Sequence, residues 1–309
     1  MIRKYGFWFR RIGLIPVLVL LSACDEGILV PKGPVGEEEK YLLLLCTAAM
    51  LLIVVPVIIL SIIFAIKYRQ KNVDAGKAEY LPHWAHSNKV EVVIWGIPVL
   101  MIAFLATLTW ESTHSLDPYK VIPASDPNVK PLEIQVVAMD WKWLFIYPDE
   151  GLAVVNQVAI PVNRPVRFTI TSDSVMNSFF IPQLGSMIYA MAGMQTQLNL
   201  MATSEGNYAG LSTNYSGRGF SDMKFRTLAL PQEGYEQWIQ KVKTTGEKLD
   251  ERSLAELEAP SVNNPVVYYS YIKPGTFDSI VGRYNNGMVK DKETGKMIHV
   301  HAGMSGTGM

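Results

Sequence analysis

Side chains that could bind a metal or act as nucleophiles are few in this 309-residue sequence, which has only two cysteines and five histidines. Ligand types suited to copper gather near the C-terminus, at Met297, His299, His301 and Met304. They have no fixed spacing, so this tail is either a loose copper-binding tract or a chance grouping. The sequence contains no nucleophilic triad, phosphate-cradling loop or catalytic carboxylate pair, which predicts a chain without catalytic residues of its own.

Residues 1–23 have the pattern of a secretory signal peptide. A basic start is followed by an apolar run that is too short to span a bilayer. The run ends in Leu21-Ser-Ala-Cys24, which is similar to a bacterial lipobox, the motif whose cysteine sulfur receives a diacylglyceryl group. We therefore predict lipidation of Cys24, and Asp25 resembles a signal that retains lipoproteins at the inner membrane. The alternative is an ordinary signal peptide with a chance cysteine.

Two longer apolar segments predict membrane-spanning helices. Neither the segment 41–66 nor the segment 92–110 carries a charged residue. The loop 67–90 between them is rich in lysine and arginine, whereas glutamates precede the first segment. The positive-inside rule then places the loop in the cytoplasm and both chain ends in the periplasm. Residues 24–111 are thus predicted to form the lipidated N-terminus and a two-helix transmembrane hairpin.

Residues 112–231 consist of short runs rich in valine, isoleucine and aromatic residues. Runs such as Leu132 to Val137 and Met223 to Leu230 alternate apolar and polar side chains, which is typical of strands with one buried face. Glycine, proline and asparagine separate the runs. Many short strands at this spacing predict an all-β Greek-key sandwich.

A helical pattern follows in residues 232–283. Its apolar side chains recur on one helical face, at Tyr235, Trp238, Ile239 and Val242. Ser253-Leu-Ala-Glu256 matches a capping box and predicts that a second helix begins there. We therefore predict a small α-helical C-terminal extension. Residues 284–309 are rich in glycine and polar residues, and we predict a disordered tail.

Four motifs are specific enough to indicate a family. They are His86-Ser-Asn-Lys-Val-Glu91, Met139-Asp-Trp-Lys-Trp143, Val175-Met-Asn-Ser-Phe-Phe-Ile-Pro182 and Tyr189-Ala-Met-Ala-Gly-Met-Gln195. Together they resemble subunit II of the bacterial cytochrome bo-type ubiquinol oxidases, and the resemblance extends over nearly the whole chain. It implies a membrane-anchored fold in which the two-helix hairpin carries a cupredoxin-like sandwich.

One loop departs from the pattern of copper-bearing relatives. The stretch from Gly210 to Met223 resembles the copper loop of subunit II in haem-copper oxidases, G-x-C-x-E-x-C-x3-H-x2-M. Serines stand at both cysteine positions, and neither the glutamate nor the histidines are kept. The substituted positions in the loop are Ser212, Asn214, Ser216 and Phe220, and only Met223 is retained. The upstream ligand histidine of the family is also replaced, by Asn177, which precedes Ser-Phe in the motif Val175 to Pro182. Because a dinuclear copper centre needs thiolate and imidazole donors, we predict that this subunit holds no metal and no other cofactor.

The resemblance implies a non-catalytic subunit of a proton-pumping enzyme that oxidises ubiquinol and reduces oxygen to water. The haems, the copper and the ubiquinol site would lie in subunit I. Subunits I, III and IV would be the partners, membrane lipid would surround the helices, and this subunit would support the assembly and stability of subunit I. A formal net charge of zero argues against nucleic acid as a partner.

Glu91 is the residue to which the resemblance gives a proton-transfer role. It stands at the cytoplasmic end of the second predicted span, where the family has a glutamate at the mouth of a proton channel. A carboxylate there can collect protons from bulk water and pass them to hydrogen-bonded waters. The alternative is a charge that only marks the membrane boundary.

Two other functions compete with this interpretation. A copper-bearing cytochrome c oxidase subunit would need the ligands that the loop lacks. A lipid-anchored periplasmic binding or copper-delivery protein would need a lipid anchor and a soluble domain but no paired spans. Co-purification with a haem-bearing large subunit would distinguish an oxidase subunit from such a free protein.

Overall fold

The computed structural model describes residues 27–79, 81, 83–124, 129–285, 288–290 and 297–299. The chain divides into two compact units. One unit is Lys40–Asp117, and the other joins the residues before it to those from Pro118 onward. The predicted signal peptide and the lipidation site Cys24 lie outside the described residues.

Three helices occupy the N-terminal part of the described chain: α1 (Pro34–Lys67), α2 (Gln70–Asp74) and α3 (Asn88–Ser115). Both α1 and α3 are long and apolar enough to cross a membrane, and no residue of their apolar windows is buried in the isolated chain. The predicted spans 41–66 and 92–110 lie inside them. Helix α1 starts earlier than its span, at Pro34, since the fixed φ of proline suits the first helical position.

Ten strands of the other unit form two packed sheets: β1 (Leu132–Met139), β2 (Lys142–Tyr147), β3 (Leu152–Val155), β4 (Gln157–Pro161), β5 (Val166–Ser172), β6 (Asn177–Ile181), β7 (Gly185–Ala190), β8 (Thr196–Leu200), β9 (Gly206–Ser212) and β10 (Lys224–Leu230). One sheet has the order β3, β2, β1, β5, β8, and the other has the order β4, β10, β9, β6, β7. Strand β1 runs parallel to β5 and β10 runs parallel to β4. The predicted β-sandwich is confirmed.

Alternate residues of the central strands face two different cores. Ile134 and Val136 of β1 lie in the core between the two sheets. Val137 and Met139 point to the opposite face of the same sheet, into a second core. Because both faces are covered, every position of β2 is buried.

We call the C-terminal segment, residues 232–283, the arm. The second core lies under residues 247–283 of the arm, whereas the helix that begins the arm packs against the first core through Tyr235, Trp238, Ile239 and Val242. The arm comprises α4 (Gln232–Thr245), β11 (Glu247–Leu249), α5 (Glu251–Glu258), β12 (Val267–Ile272) and α6 (Thr276–Gly282). Strand β12 pairs with β3 and β11 pairs with β12, so that the first sheet grows to seven strands. The predicted helices are confirmed, but the prediction missed both strands, which are short and lie between helical segments.

Helix α5 begins at Glu251, before the predicted start at Ser253. Its N-cap is Asp250, whose Oδ1 accepts a hydrogen bond of 2.8 Å from the backbone N–H of Ser253. In return, the Ser253 hydroxyl accepts a bond of 2.9 Å from the backbone N–H of Asp250. The predicted capping box is therefore wrong in register, because aspartate caps a helix as well as serine does.

Residues 30–39, which we call the strap, bind to the sandwich. The strap includes the beginning of α1. The backbone N–H of Lys32 donates to the carbonyl of Gln183 at 2.6 Å. The backbone contact is close, since a Cβ added at Gly33 would lie 2.2 Å from the carbonyl oxygen of Met201. Only glycine permits this approach, and the strap is thereby fixed to the sandwich.

The predicted disorder of the tail 284–309 does not hold for two short segments. Strands β13 (Met288–Lys290) and β14 (Met297–His299) pair with each other in an antiparallel hairpin. The other two members of the His/Met cluster, His301 and Met304, lie outside the described residues.

Candidate functional site

The segment Ser212–Met223, which we call the ligand loop, connects two neighbouring antiparallel strands. Strand β9 ends at Ser212 and β10 begins at Lys224, with Leu211 opposite Lys224 in the register. A short 3-10 turn, Phe220–Asp222, brings the chain back to the sheet. Met223 is 1% exposed and packs into the core between the sheets. The retained methionine is thus a core residue.

The structure brings Asn177 and Ser212 together, as the ligand pattern predicts. Both are buried, and the Ser212 hydroxyl lies 3.3 Å from Asn177 Oδ1, to which it can donate. The Asn177 side-chain amide donates to the carbonyl of Val175 at 3.1 Å. Next to this pair, the backbone N–H of Thr213 donates to the Ser178 hydroxyl at 2.7 Å. Neutral hydrogen bonds therefore join the loop to β6 where the family pattern has metal ligands.

The remaining substituted positions are also used within the protein. The side-chain amide of Asn214 donates to the carbonyl of Met176 at 2.9 Å. The ring of Phe220 packs edge-on against Tyr215, with 5.6 Å between the ring centroids. The buried hydroxyl of Ser216 has no hydrogen-bond partner among the described residues. Each of these side chains contacts its own loop or the residue that precedes β6, or is enclosed by the protein.

The side chain of Trp141 contacts the ligand loop at Ser216 and Gly219. Its indole N–H donates to the carbonyl of Ser216 at 3.0 Å, and its ring lies so close to Gly219 that a Cβ there would approach to 2.5 Å. The backbone of Trp141 has φ +64°, a left-handed conformation that is strained for a bulky residue. Trp143, by contrast, is fully buried and packs edge-on against Phe179.

The donor set at these positions does not fit a dinuclear copper centre. It consists of two hydroxyls, two neutral amides, a phenyl ring and one thioether, and the phenyl ring has no lone pair to donate. Hydroxyls do not ionise near neutral pH and cannot replace bridging thiolates. No group of three or more His, Cys, Asp or Glu side chains with metal-binding geometry occurs in the part of the chain that the structure describes.

Glu91 lies in the first turn of α3 and is paired with a histidine that the sequence analysis did not connect to it. Its Oε1 is 2.5 Å from His86 Nδ1, and the other ring nitrogen of His86 contacts the side chain of Asn88. The Glu91 side chain is 46% exposed. The spacing His86 to Glu91 crosses the start of the helix, so helical periodicity gives no signal for this pair.

Two charged groups that the sequence analysis missed fasten the arm to the sandwich. The first is Lys142, which is fully buried and whose Nζ donates to the carbonyls of Leu257 and Ala259 at 2.6 and 2.8 Å. These carbonyls lie at the C-terminal end of α5, where a cation is favoured. Burial lowers the pKa of the Lys142 ammonium, and nearby Asp140 partly opposes this shift.

The second charged group is Arg283, which follows α6. Its guanidinium donates to Asp173 Oδ1 at 3.0 Å and to Glu258 Oε1 at 2.7 Å. Burial and the like charge of Glu258 raise the pKa of Asp173 to about 6, although Arg283 acts in the opposite direction. Arg283 therefore ties two carboxylates together, one from the sandwich and one from the arm.

Comparison with known proteins identifies the class of protein that this fold and loop belong to. Residues 148–228 match the family model "Cytochrome C oxidase subunit II, periplasmic domain", and residues 243–288 match "COX Aromatic Rich Motif". The ubiquinol oxidase subunit 2 of Acetobacter aceti is 57% identical over 94% of this chain and 93% of its own length. The cytochrome bo(3) ubiquinol oxidase subunit 2 of Pseudomonas putida is 50% identical over 93% and 91%.

Two apolar helices and a cupredoxin-type periplasmic domain define a membrane-anchored subunit of the oxidase subunit II class. At these identities and coverages, the chain belongs to the ubiquinol oxidase subunit 2 family. The predicted resemblance is confirmed.

Proposed function

We propose that this chain is the metal-free subunit II of a proton-translocating ubiquinol oxidase in a bacterial inner membrane. The observation that carries the proposal is the ligand loop, whose Asn177, Ser212 and Asn214 are engaged in hydrogen bonds and offer no thiolate or imidazole. Electrons from ubiquinol would enter the haems and copper of subunit I directly. The chain would hold subunit I and contact subunits III and IV.

The test is a copper-loading experiment on the purified full-length chain. The chain is incubated with copper, loosely bound metal is removed, and the metal content and visible spectrum are recorded beside a copper-bearing subunit II treated in the same way. We expect no stoichiometric copper and no strong colour in this chain. The intact complex should accept electrons from ubiquinol and not from cytochrome c. A coloured dinuclear centre, or cytochrome c oxidation, would overturn the proposal.

We also propose that α1 and α3 both span the membrane, with the sandwich in the periplasm and a lipid on Cys24. The basic loop 67–90 and the apolar lengths of the two helices support this orientation. Mass spectrometry of the mature N-terminus tests the lipid. Cys24→Ser should abolish lipid attachment and lipoprotein-type cleavage, while the two spans retain the protein in the membrane. An unmodified wild-type N-terminus would contradict the lipidation.

We further propose that Glu91 supplies protons to a channel of subunit I. Its position in the first turn of α3 and its partial exposure leave it in reach of water. Glu91→Gln should slow ubiquinol-dependent oxygen uptake per haem, and Glu91→Asp should slow it less because a titratable group remains. His86→Ala is the matched control, since it removes the pairing partner and keeps the carboxylate. Normal turnover in Glu91→Gln would show that Glu91 only marks the membrane boundary and does not supply protons.

A further inference from the structure

The chain that follows the first apolar helix folds back against the end of that helix. The side-chain amide of Asn72 donates to the carbonyls of Ile66 and Lys67 at 2.8 and 3.3 Å. Further along, the backbone N–H of Lys77 donates to the carbonyl of Asn72 at 2.9 Å. Residues 66–78, which we call the basic cap, therefore form a folded segment at the C-terminal end of α1 and include α2.

The basic cap carries four basic side chains and one acidic side chain. The basic residues are Lys67, Arg69, Lys71 and Lys77, and the acidic residue is Asp74. All four basic residues are exposed. None of them forms an ion pair with a carboxylate in the part of the chain that the structure describes. The basic cap thus presents positive charge that the chain itself does not pair.

The end of α1 does not use these charges either. The last carbonyls of a helix have no partner within the helix, and they attract cations. In α1, the carbonyls of Ile66 and Lys67 accept hydrogen bonds from Asn72, so a neutral amide satisfies them. The ammonium of Lys67 lies over the ring of Tyr68, with Nζ 5.4 Å from the ring centroid. The basic side chains are therefore available to an external anion.

The basic cap directly follows an apolar stretch that is long enough to cross a membrane. This stretch ends at Ile66, and Lys67 is the first charged residue after it. Because Asn72 bonds to Ile66, α2 stays at the end of the stretch. Tyr68 is 52% exposed here, and Trp84 of the same loop is 62% exposed. Tyrosine and tryptophan favour the level of the lipid headgroups, so these residue types agree with a cap at that level.

We propose that the basic cap binds the phosphate groups of anionic phospholipids in the leaflet that adjoins it. The proposal rests on the part of the proposed function in which α1 and α3 span the membrane. Basic clusters that directly follow a membrane span are attracted to anionic lipid. Arg69 can form paired hydrogen bonds with one phosphate, whereas the lysines act as point charges. A lipid headgroup is the anion that the chain's own connectivity brings to the cap, whereas an acidic protein surface would require another subunit.

The first experiment places a photoreactive benzoyl-phenylalanine at position 70 of the full chain in native membranes. Gln70 is exposed and lies between Arg69 and Lys71. Irradiation should attach phospholipid that is enriched in anionic headgroups, which mass spectrometry identifies. The matched control carries the same probe at Tyr271, which is 48% exposed on β12, and should show no such enrichment. Cross-linking at position 70 only to zwitterionic lipid, or only to another subunit, would overturn the proposal.

The second experiment measures lipid preference in the purified full chain in nanodiscs, by electron paramagnetic resonance of spin-labelled phosphatidylglycerol and phosphatidylcholine. The wild type should prefer phosphatidylglycerol. Arg69→Gln and Lys71→Gln should each lower this preference about fivefold, because one basic residue near a charged membrane surface contributes about 1 kcal/mol. Arg69→Lys keeps the charge and should retain most of the preference. Lys224→Gln, at an exposed lysine of β10, is the control and should leave it unchanged. Wild-type preference in both glutamine variants would contradict the lipid site.

Two further measurements separate a folded lipid site from other sources of attraction. Asn72→Ala removes the contact with the end of α1 and keeps every charge, so the preference should fall at constant net charge. An unchanged preference would show that charge alone attracts the lipid and would overturn the folded site. Inorganic phosphate, titrated into the chain in phosphatidylcholine nanodiscs, should show no saturable binding. Saturable binding would assign the cap to free phosphate and overturn the lipid.

The two proposals can fail separately. If alkaline carbonate extracts the chain from native membranes, the proposed spans are wrong and the lipid site fails with them. If the chain resists extraction but shows no preference for phosphatidylglycerol, only the lipid site is wrong.

Discussion

The arm and the ligand loop are both fastened to the sandwich by polar groups, but the groups differ in kind. The arm is held by charges: Lys142 on the end of α5, and Arg283 between Asp173 and Glu258. The ligand loop is held by neutral hydroxyls and amides. A charged contact binds strongly when complete and is costly when one partner is lost, whereas a neutral network is weaker and independent of ionisation. We therefore expect the arm to be sensitive to charge and pH, and the loop to be insensitive to both.

The largest effect is expected from Lys142→Ala. The change leaves a cavity and removes the donor from two carbonyls of α5, so the free energy of unfolding should fall by about 3 kcal/mol. Lys142→Met fills most of the volume and should cost less, because only the hydrogen bonds are lost. Urea unfolding measures both, with Lys248→Ala as the control at an exposed lysine. If Lys142→Ala unfolds like the control, the arm is not anchored by this lysine.

The sequence could not reveal Lys142 as an anchor. It lies between two tryptophans in an alternating pattern, which predicts that its side chain points to water, and its partner Leu257 is 115 residues away. The strap was missed for a similar reason: its fit depends on Gly33 having no side chain, which gives no hydropathic signal. The spans and the sandwich were predictable because hydropathy and alternation repeat over many residues.

The ligand positions could be located from the loop pattern, but their new contacts could not. The pattern placed Asn177 near Ser212, and the structure has them 3.3 Å apart. That Asn214 would bond to Met176, or that Trp141 would take a left-handed backbone, depends on packing between distant segments. A family pattern indicates which ligand positions lie near one another in the fold. The hydrogen bonds that the substituted side chains form depend on the surrounding folded structure, so the pattern does not predict them.

The second effect, in order of size, is a pH dependence that arises from Asp173. Its pKa is raised from 3.8 to about 6 in the folded chain, so its protonated form is the one that folding favours. This contribution is fully present below pH 3.8 and is lost as the pH rises through 6. Relative to Asp173→Asn, the wild type should therefore lose about 1–3 kcal/mol of stability between pH 4 and 7. Thermal unfolding across this range measures the difference, with Asp222→Asn as the exposed control. If the wild type and Asp173→Asn lose stability in parallel over this pH range, Asp173 does not cause the pH dependence.

A smaller and pH-independent effect is expected at the ligand loop. Ser212→Ala and Asn177→Ala should each lower the free energy of unfolding by about 1 kcal/mol, the usual contribution of one neutral hydrogen bond. Because the two side chains contact each other, the double variant should cost less than the sum of the single ones. Denaturant unfolding at pH 5 and pH 8 tests both statements. Additive costs would show that the two side chains stabilise the loop separately, and a pH dependence would contradict the contrast with the arm.

The smallest effect is expected at Asp250, at the opposite end of the helix that Lys142 holds. Asp250 caps α5 in full contact with water, and its hydrogen bonds from the backbone and hydroxyl of Ser253 lower its pKa. Its contribution is therefore fully present above the ordinary aspartate pKa and is lost as the pH falls through its lowered pKa, the opposite sign to that of Asp173. Asp250→Ala should reduce stability at pH 7 by much less than Lys142→Ala, and its effect should shrink as the pH falls through the lowered pKa of Asp250. Asp250→Asn, which keeps an oxygen acceptor, should retain most of the cap. Hydrogen exchange of the α5 amides resolves this local change. If Asp250→Ala equals Lys142→Ala, the exposed end of α5 matters as much as the buried end, and burial is not what makes the arm's charges costly to lose.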